Sequence, residues 1–163
     1  MSYSLWWSAL LLALLVALAA QLGLLRGRTP GDLGVRDGRL KPPSMRPNSV
    51  SSQAGLYPDH PQRATAQVAP LPVQGSGPAT IGQLRRIVAA MDGARVVRAD
   101  SAYLYAQFSA GMLKQVDDVE FWFDPRANVV QVRSASRLGW RDQGTNRARV
   151  EAIRARLEAA GAA

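Results

Sequence analysis

Asp117, Asp118 and Glu120 form the densest group of acids in this chain, and five arginines (Arg133, Arg137, Arg141, Arg147 and Arg149) follow soon after. On a β-strand, Asp118 and Glu120 project from one face with side chains roughly 7 Å apart. Such a pair could hold a hard cation or divide acid and base work between its members. More often, a Glu facing an Arg on the neighbouring strand is a cross-strand ion pair. Asp118 and Glu120 are the catalytic candidates, and no nucleophile accompanies them. Ser134 and Ser136 have no histidine near them in sequence, and the single histidine, His60, sits in a proline-rich stretch. With one histidine and no cysteine, multi-histidine and thiolate metal sites, disulfides and thiol nucleophiles are excluded. No glycine-rich phosphate loop follows a strand, and no Gly-x-Ser-x-Gly elbow occurs. No metal or cofactor is expected. The arginines, with Ser134, Ser136 and a helix N-terminus, could cradle a phosphate or carboxylate. The plainer alternative ties Arg133 and Arg137 to Asp118, Glu120 or Asp142 in a structural network.

The elements that must position these groups are legible nearby. Val119, Phe121 and Phe123 alternate with Asp118, Glu120 and Trp122, and after Asp124–Asn128 a second run alternates Val130 and Val132 with Gln131 and Arg133. A one-residue slip would move every side chain to the other face. Pairing Asp124 with Val129 sets Phe123 beside Val130, Phe121 beside Val132, Trp122 beside Gln131 and Glu120 beside Arg133. Upstream, Thr80 with Gln83 reads as a capping box for a helix carrying Ile81, Leu84, Ile87, Val88 and Met91 on one stripe, stopped at Gly93. Strands are expected over 94–99 and 102–109. A last helix over 146–160 places Val150, Ile153 and Leu157 on its apolar side. The fold class is therefore α+β: a two-layer domain over 79–160, with two helices on one face of an antiparallel sheet. The other face would carry Tyr103, Tyr105, Asp118, Glu120, Trp122 and Arg133.

Before the domain lie three different kinds of chain. A short tail covers residues 1–4. Leu5 to Leu25 has no charge, ten of its twenty-one residues are Leu, and Trp6 and Trp7 stand at one end. That segment is expected to be a transmembrane helix, a retained single-pass anchor rather than a cleaved signal peptide, since no basic residue precedes it. Residues 26–78 hold nine prolines and no sustained periodicity, so they read as an irregular linker or strap, with a polar turn over 48–53.

Twenty basic residues, eighteen of them Arg, face twelve acidic ones for a net charge of +8. That balance favours anionic surfaces, although a GC-rich genome also spells basic positions as Arg. Nucleic acid is disfavoured by the membrane segment and by the lack of aromatics interleaved with the arginines. Arg26, Arg28, Arg36, Arg39 and Lys41 follow the apolar segment, so the charge rule places the domain in the cytoplasm, against the inner membrane of a bacterium.

The ordered segments DDVEF at 117–121, VRSASRLGW at 132–140 and NRARVEAIR at 146–154 resemble the bacterial and plastid family called domain of unknown function 1499. PNSVSSQA at 47–54 looks like that family's Pro-Asn-Cys-Val-Ser-Ser segment, and Ala69-Pro70-Leu71 like its Pro-Leu step, so the resemblance runs from about residue 40 to 158. It implies a small, membrane-attached or exported domain without a recognised cofactor. Pro43 and Ser49 stand where the family often has two cysteines, so no disulfide or lipid-anchor role of those cysteines operates here. The expectation is a non-enzymatic membrane protein whose basic domain binds a partner protein or anionic lipid through Arg133, Arg137, Arg141, Arg147, Trp122 and Tyr105. A membrane-tethered enzyme using Asp118, Glu120 and His60, or an accessory subunit of a larger membrane complex, is the alternative.

Overall fold

A computed structural model describes residues 3–24, 26–110 and 115–162; residues 1 and 2 of the expected tail and Leu25 of the expected span lie outside them. The hairpin is the spine of the fold. Strand β5 (Gln115–Asp124) pairs with β6 (Val129–Ser136) in the register given by the alternation, with Glu120 opposite Arg133, Phe121 opposite Val132 and Asp124 opposite Val129. Strands β3 (Ala94–Ala99) and β4 (Tyr103–Ala110) extend the sheet on the β5 side.

The stretch 26–78, expected as an irregular linker or strap, contributes strands to the sheet. Its residues Ser49–Ser51 form β1 and Leu71–Pro72 form β2, both antiparallel along the outer edge of β6, so the expected polar turn over 48–53 is in part a strand. Between them lie a 3-10 turn (Ala54–Leu56) and a short helix α2 (Arg63–Ala66). The sheet thus holds six strands among the described residues, in the order β1-β6-β5-β4-β3 with β2 also on β6.

Helices α3 (Gly77–Ala89) and α4 (Thr145–Gly161) cover one face. Helix α3 begins a turn earlier than expected. Ser76, not Thr80, is its cap, accepting from the Ala79 N–H, and Thr80 sits inside with its hydroxyl bonded to Gln74 and Ser76. Gly93 ends the segment with φ +70, and a Cβ there would meet the Ser109 carbonyl oxygen, so only glycine suits the turn. Ile81, Leu84 and Val88 of α3 meet Val150, Ile153 and Leu157 of α4 over Leu104, Val119, Phe121 and Val132 of the sheet, all fully buried. Removing any one of these large side chains should cost about 2–5 kcal/mol.

The second face is also covered, which turns the expected two layers into three. Residues 26–48 cross it as a strap that turns at Asp37-Gly38, where the Arg36 and Arg39 backbones exchange hydrogen bonds of 2.9 and 3.0 Å. Leu33, Val35 and Leu40 of the strap pack on Tyr103, Tyr105 and Trp122 in a second, smaller core.

Helix α1 (Tyr3–Gln21) stands apart. Its residues 5–18 are exposed throughout, and only Ala20 near its end is buried. The transmembrane helix expected over Leu5–Leu25 is not supported as such, because among the described residues no helix is long and apolar enough to cross a membrane. Nineteen residues reach about 28 Å against a hydrocarbon core of about 30 Å, and beyond Gln21 the chain folds back, with Leu24 N–H bonded to Ala19 O at 3.0 Å.

Candidate functional site

Strand parity divides the acids before anything else does. Asp117 points to the helix face, while Asp118 and Glu120 point to the strap face with Tyr103, Tyr105 and Arg133. Asp117 therefore meets Arg149 of α4 at 2.6 Å, with the Arg149 guanidinium stacked 4.7 Å from the Phe108 ring. The three carboxylates do not form one cluster.

On the strap face, Asp118 is held by Arg137 through two charged bonds, Nε at 2.8 Å and Nη2 at 2.7 Å, and accepts the Tyr105 hydroxyl at 2.6 Å. Both partners are almost wholly buried. Taking one partner from such a pair costs about 3–5 kcal/mol, because a buried charge is left alone. The Asp118 bond holds the Arg137 guanidinium above its ordinary pKa, and burial beside Asp118 raises the Tyr105 hydroxyl.

Glu120 is less well served. Its Oε1 accepts the Tyr103 hydroxyl and the Gly34 N–H of the strap, each at 2.7 Å. Its Oε2 is buried with no hydrogen-bond partner among the described residues, and Arg133 stands 3.8 Å away with Nε turned to the Pro42 carbonyl at 3.1 Å. Burial raises the Glu120 carboxyl; the Tyr103 and Gly34 bonds and the Arg133 charge only partly oppose it. Burial also lowers Arg133. The expected Glu120–Arg133 pairing is present as a strand register and a long ion pair, not as a close bidentate contact.

The structure brings Tyr105, Arg133 and Arg137 together, but beneath the strap rather than on a free surface. Trp122 is half-buried in a separate cleft of about 770 Å³ with Gln131, Ser52, Asp124 and Arg39. Arg147 reaches the carbonyls of Thr65 and Gln67 at 2.9 and 3.0 Å, and Arg141 is exposed. His60 lies in the loop before α2, where its Nδ1 accepts the Gln62 N–H at 3.1 Å; no bond links it to Asp118 or Glu120. Among the described residues, no group of three or more His, Asp or Glu converges as a metal site.

Two participants escaped the sequence reading. Asn146, the second residue of α4, is fully buried and donates to the Asn48 carbonyl at 3.1 Å and the Ser136 hydroxyl at 3.0 Å, while its own oxygen accepts from Ser134 and Arg149. Asn48 donates to the carbonyl of Gly139 at 3.0 Å, closing the loop between β6 and α4, and its Oδ1 is buried without a partner among the described residues. Position in NRARVEAIR and PNSVSSQA was the only signal for either residue.

A model of one protein family matches residues 39–157; its description is "Protein of unknown function (DUF1499)". No curated protein and no solved structure matches the chain.

Proposed function

Because the chain belongs to the DUF1499 family, whose name carries no activity, we propose from its own geometry that it is a non-enzymatic, membrane-attached protein. Its small basic domain is a binding module for a partner protein or anionic lipid at the bilayer. The observation that carries this reading is α1, with apolar side chains in the open around its whole circumference, Trp6 74% exposed among them. A helix apolar on every side has its low-energy place in a dry environment, and the folded domain offers it none. The acids argue the same way. Asp117 and Asp118 are spent on Arg149 and Arg137, and the strap lies over Glu120.

Fractionation tests this. The full chain is expected in the membrane pellet after alkaline carbonate washing, released only by detergent. Recovery in the soluble fraction without detergent would overturn the reading. The tethered-enzyme alternative draws support from one observation, the partnerless Oε2 of Glu120. It needs the strap to lift before any substrate could reach that oxygen. An accessory-subunit role has no separate support in the geometry.

A further inference from the structure

The chain leaving α1 does not wander from the domain. Gly27 packs so closely on the loop after β6 that a Cβ there would stand 2.9 Å from Arg137 Cβ and 3.1 Å from Leu138 Cγ, and the Gly27 carbonyl accepts from Arg137 at 3.5 Å. The foot of the apolar helix is thereby fixed at one end of the sheet. What surrounds that foot is unusual in composition. Trp140 and Met45 are 69% and 68% exposed, and the Arg46 guanidinium stacks 5.7 Å from the Trp140 ring. Arg26, Arg28 and Arg141 are exposed as well, and Arg28 lines one hollow with Met45 and Arg46. Between the strap and the loop, this hollow of about 430 Å³ is lined by five cationic side chains (Arg28, Lys41, Arg46, Arg133, Arg137) and a single carboxylate, Asp118. Arg137 is neutralised by Asp118, Lys41 by Asp32 at 2.7 Å and Arg133 by Glu120 at 3.8 Å, which leaves Arg28 and Arg46 facing the opening without an acid among the described residues.

An exposed Trp and Met ringed by arginines is what the headgroup level of a bilayer accommodates: an apolar body for the acyl boundary and cations for phosphate. We propose that this end of the domain docks on anionic phospholipid, with Trp140 and Met45 entering the interface and a lipid phosphate received between Arg28 and Arg46. This rests on the membrane-attached reading, and it adds the face, the orientation and the ligand: the domain sits down on the bilayer instead of standing off on its strap.

The absence of native cysteine permits a direct test. The full-length chain carrying Met45→Cys, labelled with a spin probe, is reconstituted into vesicles of phosphatidylcholine with and without phosphatidylglycerol, and flotation is scored alongside. With phosphatidylglycerol present, the probe should move from water-accessible to lipid-accessible. Arg28→Gln and Arg46→Gln should each cut the docked-to-undocked ratio roughly fivefold. Arg126→Gln, at the far tip of the β5–β6 hairpin, should leave the ratio unchanged. A chain that floats while its probe stays in water on anionic vesicles would overturn the docking face and leave attachment intact. A chain that fails to float would remove both. If inorganic phosphate gave the same probe response on phosphatidylcholine alone, the hollow would be a free-phosphate site and the lipid assignment wrong.

Discussion

Glu120 concentrates the electrostatic tension of the molecule in one side chain. Its folded carboxyl is raised above the ordinary 4.5 chiefly by burial. An acid raised on folding contributes most when protonated in both states, so its contribution is complete below about pH 4.5 and drains away as the pH climbs through the higher folded value. Glu120→Gln cannot ionise, and its unfolding free energy should fall less steeply than that of the parent across the range just above pH 4.5. Urea titrations at a series of pH values measure both slopes, and identical slopes would show that Glu120 binds its proton equally in the folded and unfolded chains. The sequence revealed that Glu120 faces Arg133. It did not reveal that the pair would be long, because that depends on Gly34 and Pro42, which draw the two groups apart from a strap with no periodicity to read.

Elements differ in how plainly their residues announce them. The β5–β6 register follows from alternation because every slip exposes Phe121 and Val132 and buries charge. The bounds of α4 were equally readable, and α3 stops at Ala89, short of the expected Gly93, which instead turns the chain into β3. Ser76 and Thr80 both make good caps, and only the hydroxyl bonds of Thr80 to Gln74 decide between them. Strands β1 and β2 were invisible, since three and two residues carry no period; they exist because β6 offers them an edge. Asn146 holds that arrangement, joining the first turn of α4 to β6 and to the residue before β1. Asn146→Ala removes the donor to the Ser136 hydroxyl and one of two partners from the Asn48 carbonyl and the Ser134 hydroxyl, at about 1–3 kcal/mol for the buried site. A loss below 1 kcal/mol in denaturant unfolding would mean that water takes its place.

At the scale of the whole molecule, an apolar helix, a basic collar and a sealed domain succeed one another along one axis of the chain. Arg26, Arg28, Arg36, Arg39 and Lys41 follow α1 at once, and anionic lipid is concentrated in the leaflet that faces the cytoplasm. A reporter active only inside the cell, fused after Ala163, should therefore give the signal. A signal from a reporter active only outside would side with the exported character implied by the family and would assign the collar to envelope lipid instead.

Strand β6 pairs with β5 on one side and with β1 and β2 on the other, and the Ser52–Val132 bonds bridge 80 residues. It is also the last strand to leave the ribosome. Until it emerges, β1 and β2 have no edge to pair with, and Asp118 and Glu120 lack Arg137 and Arg133. Synthesis thus imposes an order of events: α1 emerges early, the hairpin forms late, and the face over Glu120 is completed at the end. Non-local pairing of this kind is slow. On the membrane-attached reading proposed above, the newborn chain would spend that interval already tethered, with its unpaired sheet edges kept at the surface of a bilayer and away from other copies of itself.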